Sequence, residues 1–311
     1  MNNPSANSHS ISPNPGPAAR LLTRLLLAAM ERLPGNRPFG RLLSGGERRS
    51  YLLHVPPGYD PGRAAPLVIS MHGYAEWPAH QMQISRWNEL ADRAGFIVAY
   101  PCGTHFPLRW RMHGLAGTHL DPLRDLEFIS ALIDRLESEY NLDPARIFVN
   151  GLSNGGGMSF VLACTLSERI AAFGSVSGAY LRRWEQCTPA RAVPAIIFHG
   201  TADPIVPYHG GPSRAFNLPF PDVPLWVEEL ARRNGCGTLE TLPAQGQVSG
   251  LCYTGSSPQA EVLFYTIAGG GHSWPGGQPL PRWIAGSTSR EIDATVCMWE
   301  FFQAHPMHGT P

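Results

Sequence analysis

The sequence predicts an α/β fold, a mostly parallel central sheet flanked by helices. From residue 47 onward, short apolar runs alternate with stretches of helical periodicity, the pattern of strands joined by crossover helices. The composition is that of a globular protein, 43% hydrophobic and 15% charged over 311 residues, enough to bury a large core. Gly (33) and Pro (30) are both frequent, which suggests functional loops carried on a rigid frame.

Residues 1–40 stand apart from that pattern. Residues 1–19 are rich in Ser, Asn and Pro and read as a disordered tail. Residues 20–33, RLLTRLLLAAMERL, read as an amphipathic helix with Arg20, Arg24 and Arg32 against a leucine face. Its apolar run, Leu25 to Met30, is short and is followed at once by Glu31 and Arg32, unlike a signal peptide. No stretch is long enough to span a bilayer, so integral membrane association is not expected.

A single domain is expected over 41–306. Tyr51–Val55 reads as its first strand, stopped by Pro56-Pro57-Gly58. Pro66–Met71 is a buried strand ending at His72-Gly73, residues 79–94 a helix ended by Gly95, and Phe96–Tyr100 the next strand. The span 102–122 is polar, aromatic and irregular, and so long a loop is usually functional. Leu123–Tyr140 is an amphipathic helix. The strand RIFVN (146–150) runs into GLSNGGG, with a helix following to Leu166. Strands follow at Ala172–Val176, Ala195–His199 and Val262–Ile267, with an extended excursion at 247–254 and helices at 224–233 and about 289–304.

With 24 basic and 24 acidic residues the formal net charge is zero, which offers no footprint for nucleic acid or an anionic membrane. None of the six cysteines forms a Cys-x-x-Cys pair, so zinc ribbons and thioredoxin-type motifs are not expected, and the cysteines read either as buried, partly free thiols or as disulfides. Cys236 with Cys252, flanking a Gly-rich excursion, is the first candidate disulfide; Cys164 with Cys187 is the second.

Gly151-Leu152-Ser153-Asn154-Gly155 matches G-x-S-x-G between a strand and a helix, the nucleophile elbow of an α/β-hydrolase. Such a turn holds the serine hydroxyl exposed, and the helix N-terminus faces developing negative charge. The partners should follow in the order acid, histidine. Asp203 lies on the loop after Ala195–His199 and His272 on the loop after Val262–Ile267, both at the carboxyl edge where such sheets place their sites. Asp222, His199 and His209 are rivals less well placed in the order, and His72 is better assigned to shaping the loop after its strand. The oxyanion hole is expected from the amides of Asn154 and Tyr74. No metal or organic cofactor is implied by these residues.

The stretches RRSYLLHVPPGY, PLVISMHG, LADRAGFIVAYPCG, DLEFISALIDRLESEYNLDPARIFVNGLSNGGG, IIFHGTADPIVPYHGG and GGGHSWPGG, covering 48 to about 302, resemble the esterase and polyhydroxybutyrate depolymerase family, which is itself similar to feruloyl and acetylxylan esterases. The resemblance implies an extracellular or periplasmic hydrolase of short-chain hydroxyacid polyesters or of esters decorating plant polysaccharides. The partner is then an ester, small or polymeric. Only residues 177–194 separate two successive strands, too few for a cap domain, so the site should be open to bulky esters. Trp110, Trp184 and Trp274 lie on loops near the expected edge. They read either as stacking surfaces for substrate or as loop anchors, with Trp274 favoured for the pocket. A serine peptidase on the same scaffold, or a non-catalytic binding protein of the fold, are the alternatives.

Overall fold

The computed structural model describes residues 40–111, 123–213 and 216–307, together with Leu21 and Leu25. The expected tail and the rest of the 20–33 helix lie outside the described residues. The strands are β1 (Gly40–Ser44), β2 (Glu47–His54), β3 (Ala65–Met71), β4 (Ile97–Pro101), β5 (Leu142–Leu152), β6 (Ala172–Val176), β7 (Ala195–Gly200), β8 (His209–Gly211), β9 (Phe220–Asp222), β10 (Cys236–Gln245), β11 (Val248–Gly255) and β12 (Val262–Ile267). The helices are α1 (Pro78–Ser85), α2 (Trp87–Ala94), α3 (Leu123–Glu139), α4 (Asn154–Thr165), α5 (Val223–Asn234), α6 (Arg282–Ala285) and α7 (Ala294–Ala304).

Ten strands form one sheet in the order β1-β2-β4-β3-β5-β6-β7-β12-β11-β10. The six central strands, β4 to β12 in that order, pair in parallel, and each edge is closed by an antiparallel pair. Strands inside such a sheet are covered on both faces, which is why all seven residues of β3 are buried. Successive side chains divide between two cores, as the two-residue strand period requires. Leu67, Ile69, Ile147 and Val149 join residues of α3, α4 and α5 on one face. Val68 and Phe148 join Trp87, Trp299 and Phe302 on the other. Among the described residues no helix is long and apolar enough to cross a membrane.

Four expectations change. The helix expected over 79–94 is two, broken at Arg86, whose φ of 58° is left-handed. The break turns fully buried Trp87 inward, where its Nε1–H donates to Asn150 Oδ1 at 3.2 Å and its ring stacks on Phe302. The excursion at 247–254 is the middle of a β10-β11-β12 meander; β10 is largely exposed and lacks an apolar period, and β1 offers only the Leu42-Leu43 pair, so neither is marked in the sequence. The last helix begins at Ala294 rather than near 289, where the Asp293 carboxylate accepts from the Thr295 and Val296 amides. Finally, the disulfide is Cys164–Cys187, with Cα atoms 4.9 Å apart, and the preferred pair is corrected: Cys236 and Cys252 are free. Cys236 starts β10 opposite Gly255, while Cys252 faces Glu240, so strand register holds the two thiols on different rungs. Between β6 and β7 the chain makes only a short 3₁₀ turn, Trp184–Gln186.

Candidate active site

Ser153 sits where β5 passes into α4, with φ 57° and ψ −116°. A non-glycine residue there carries strain of roughly 1–3 kcal/mol and stays only where its surroundings hold it. They do so through the backbone. The Ser153 amide donates to Val176 O at 2.9 Å, and its carbonyl accepts from Gly157 and Ala179. The flanking glycines are required: a Cβ on Gly155 would lie 2.2 Å from Met71 O, and one on Gly151 2.5 Å from the Gly155 carbonyl carbon. The reach of β5 and the tight elbow together leave Ser153 8% exposed at the carboxyl edge.

Asp203 follows β7 and His272 follows β12, and the His272 Nδ1–H donates to Asp203 Oδ2 at 2.8 Å. The other carboxylate oxygen accepts from the Ile205 and Val206 amides at 2.8 and 2.9 Å. Burial would raise the Asp203 pKa, but the His272 charge and hydrogen bond outweigh it and hold the carboxyl below its ordinary value. For His272 burial acts downward and Asp203 upward, and the net direction is up. His199 lies beneath, its Nε2–H donating to Val206 O at 2.9 Å; burial lowers its pKa, so it stands as a neutral brace. Asp222 caps α5 and meets only exposed His209, which removes both from the site.

The His272 loop needs its glycine: a Cβ on Gly271 would lie 2.0 Å from Ala285 O, the same carbonyl that accepts the His272 amide. Ser153 and His272 share no hydrogen bond in this structure, and such contacts often tighten only when substrate binds. A Cβ on Gly73 would stand 3.5 Å from the Ser153 Cβ and 3.0 Å from Glu76 Oε2, and the Glu76 charge helps raise the His272 pKa.

The loop after β3 is organised by two side chains. His72 is fully buried, donates from Nδ1 to Gly73 O at 2.7 Å and accepts the Gly103 amide at Nε2. Burial pushes its pKa down to about 4, so the ring is neutral near pH 7. Glu76 accepts the Gly73 amide at 2.9 Å. That leaves the Tyr74 amide without an acceptor among the described residues, as is the Asn154 amide at the start of α4. Glu76 was not legible in the sequence, since nothing in its spacing marks it. The same holds for Asp125, which is fully buried and accepts from Arg49 Nη1 and the Arg111 amide, both at 2.7 Å, anchoring the chain next to Trp110.

Of the two readings of the tryptophans, stacking surface or loop anchor, burial decides for the anchor at Trp110 and Trp274, and the substrate-binding reading is corrected for all three. Trp110 is 0% exposed; its Nε1–H donates to His72 O at 2.9 Å and its amide to Asn154 Oδ1 at 2.7 Å. Trp274 is 1% exposed, with Nε1–H donating to Thr295 Oγ1 at 2.9 Å. Both are anchors of site loops, because an indole this buried has no face left for a ligand. Trp184 is half-buried, but it lines a cavity at the other edge of the sheet with Cys164 and Val193. The tryptophan exposed near the His272 loop is Trp283, 86% exposed on α6, two residues from the Ala285 carbonyl that holds His272. Among the described residues no group of three or more His, Cys, Asp or Glu side chains is placed to hold a metal ion.

Residues 49–206 match the model of the family described as esterase PHB depolymerase. The chain is 28% identical over 324 residues to the putative esterase NocK of Nocardia uniformis subsp. tsuyamanensis, covering 95% of this chain and 93% of that one. It is 29% identical to feruloyl esterase C of Emericella nidulans, over 82% of this chain and 84% of the other. It is 31% identical to the bifunctional acetylxylan esterase/xylanase XynS20E of Neocallimastix patriciarum over 52% of this chain, and that match spans only 22% of the larger protein. Among solved structures, the acetyl xylan esterase from Aspergillus awamori superposes with a TM-score of 0.57 at 16% identity, over 85% of this chain and 98% of that one. At that identity the likeness shows the fold, and the family match carries the rest: the chain belongs to the esterase PHB depolymerase family and is an esterase of the α/β-hydrolase fold.

Proposed function

We propose that this esterase works through an acyl-enzyme on Ser153, with His272 as general base and Asp203 as its orienting acid. The observation that carries the reading is the strained Ser153 elbow at the same sheet edge as an imidazole fixed by a buried carboxylate. His272 Nε2 takes the Ser153 proton as Oγ attacks the ester carbonyl carbon. The tetrahedral oxyanion accepts from the Asn154 and Tyr74 amides, and collapse expels the alcohol with the proton from His272. Water, deprotonated by the same imidazole, then releases the acid and restores Ser153. Asp203 holds the Nδ1–H tautomer and stabilises the imidazolium.

The substrate class that fits is a short acyl ester, or an aromatic acyl ester, on a large alcohol. Two things support it: relatives named feruloyl and acetylxylan esterases, and a β6–β7 connection that adds no cap. One panel tests the proposal: p-nitrophenyl esters of rising chain length, methyl ferulate, acetylated xylan and a hydroxybutyrate oligomer, with fluorophosphonate labelling of Ser153. Failure of the label to attach to Ser153 would sink the mechanism. Turnover of none of the four ester types would sink the substrate class.

A further inference from the structure

A cavity of about 370 Å³ lies at the amino edge of the sheet, away from the triad. Helix α4 begins beside Ser153 and runs back along the strands, so Cys164 is about 15 Å along it from Asn154. The cavity is walled by Trp184, Phe160, Leu230, Asn234, Arg191 and Arg233, and no acidic side chain lines it. Its size falls in the range of small-molecule sites, roughly 300–1,000 Å³.

Its charge is unbalanced. Arg191 donates to the carbonyls of Ala192, Ile170 and Ala171 and to Gln259 Oε1, all neutral acceptors, and its Nε has no partner. Arg233 shares Glu229 with Arg232, donating only its Nε at 2.6 Å. Both Arg233 Nη groups remain for a ligand, and its guanidinium lies 4.9 Å from the Trp184 ring. Trp184 is fixed in turn: it stacks on Trp226, meets Phe160 edge-on at 5.1 Å, and its carbonyl accepts the amide of Cys187, which is bonded to Cys164.

We propose that this cavity binds a small aromatic monocarboxylate, with the carboxylate on Arg233 and the ring against Trp184 and Phe160. Arg233 keeps both Nη groups beside its pair with Glu229, and no lining side chain is acidic, which favours an anionic ligand over a cationic one. A bare inorganic anion would leave the aromatic and leucine walls unused, whereas an aromatic acid meets both features. The acid released from an aromatic ester by the reaction proposed above belongs to this class; only that source of the ligand rests on that reading, and the site does not.

The test uses whole enzyme whose Ser153 has been blocked with a fluorophosphonate, titrated with cinnamate by calorimetry and tryptophan fluorescence. Cinnamate should bind saturably at one site per chain. Acetate and neutral cinnamamide should each bind at least about ten-fold more weakly, as loss of the ring or of a charge-assisted pair implies. Arg233→Met and Trp184→Leu should each weaken cinnamate by at least about ten-fold while hydrolysis of p-nitrophenyl acetate by the unblocked variants stays unchanged. No saturable binding, or binding that neither substitution weakens, would overturn the site. Binding of acetate as tight as cinnamate would overturn the aromatic assignment. If Ser153 fails to react with the fluorophosphonate, the mechanism falls, and the same titration on untreated enzyme still decides the cavity.

Discussion

Ser153, His272 and Asp203 are separated in the chain, and each owes its environment to different neighbours. Ser153→Ala should lower kcat by on the order of 10⁴–10⁶ without a change in melting temperature, since the hydroxyl has no hydrogen-bond partner among the described residues. A variant retaining a tenth of the wild-type rate would place the nucleophile elsewhere. The pH dependence follows from His272. The base must be neutral, and its pKa lies above the ordinary 6.5 because the Asp203 charge outweighs burial. Rate therefore rises with pH through one ionisation above 6.5 and levels off beyond it. Asp203→Asn removes the raising charge, so the remaining activity should show its midpoint at lower pH; a rate flat from about pH 6 to 9 with chemistry limiting would exclude a histidine base. His72 cannot produce that inflection, since its pKa is near 4.

Site elements are held by tryptophans that touch no solvent, and this changes what their removal should do. Trp274 ties the His272 loop to α7 through Thr295, whose hydroxyl in turn donates to the carbonyl of Ser85, the last residue of α1. Trp274→Ala should cost about 3–5 kcal/mol of stability and reduce turnover of small and large esters alike. Trp283 offers the contrast, because its indole is free on α6 while Ala285 of the same helix holds the His272 amide. Trp283→Ala should leave the melting temperature unchanged and reduce turnover of methyl ferulate more than that of p-nitrophenyl acetate. Equal losses on both esters would show that the exposed ring does not meet substrate.

Across the whole molecule, the connections between strands decide access and the disulfide decides which loops are fastened. With 177–194 forming only a short turn, that connection adds no apolar wall beyond β6, and each further methylene contributes up to ~0.8 kcal/mol only if it finds apolar surface. kcat/KM should peak between acetyl and butyryl and fall by octanoyl, with no activation at an oil–water interface. A sharp optimum at long chains would reveal a tunnel. Thiol titration of the denatured, unreduced chain should count four, from Cys102, Cys236, Cys252 and Cys297. Reducing Cys164–Cys187, which closes a separation of 23 residues, should lower stability by about 3 kcal/mol. Two thiols, or six, would refute the pairing.

Local sequence was sufficient for the parts of this protein whose physics is local. The apolar runs marked the central strands, and GLSNGGG marked the elbow, because a turn that crowds Gly155 against Met71 O admits only glycine there. That Ser153, Asp203 and His272 lie beyond the carboxyl ends of their strands could be read because each follows its own strand. What depended on distant partners could not be read. Sequence allowed Trp110 to be platform or anchor and favoured Trp274 as a platform, and only packing against His72 and Thr295 made both anchors. Cys236 and Cys252 are brought near each other by the pairing of β10 with β11, but Cys236 lies opposite Gly255 and Cys252 opposite Glu240, on different rungs. Glu76 gains its place only when β3 and β5 lie side by side and bring Gly73 against Ser153. Composition and period report what a residue prefers, whereas burial and partners belong to the assembled sheet.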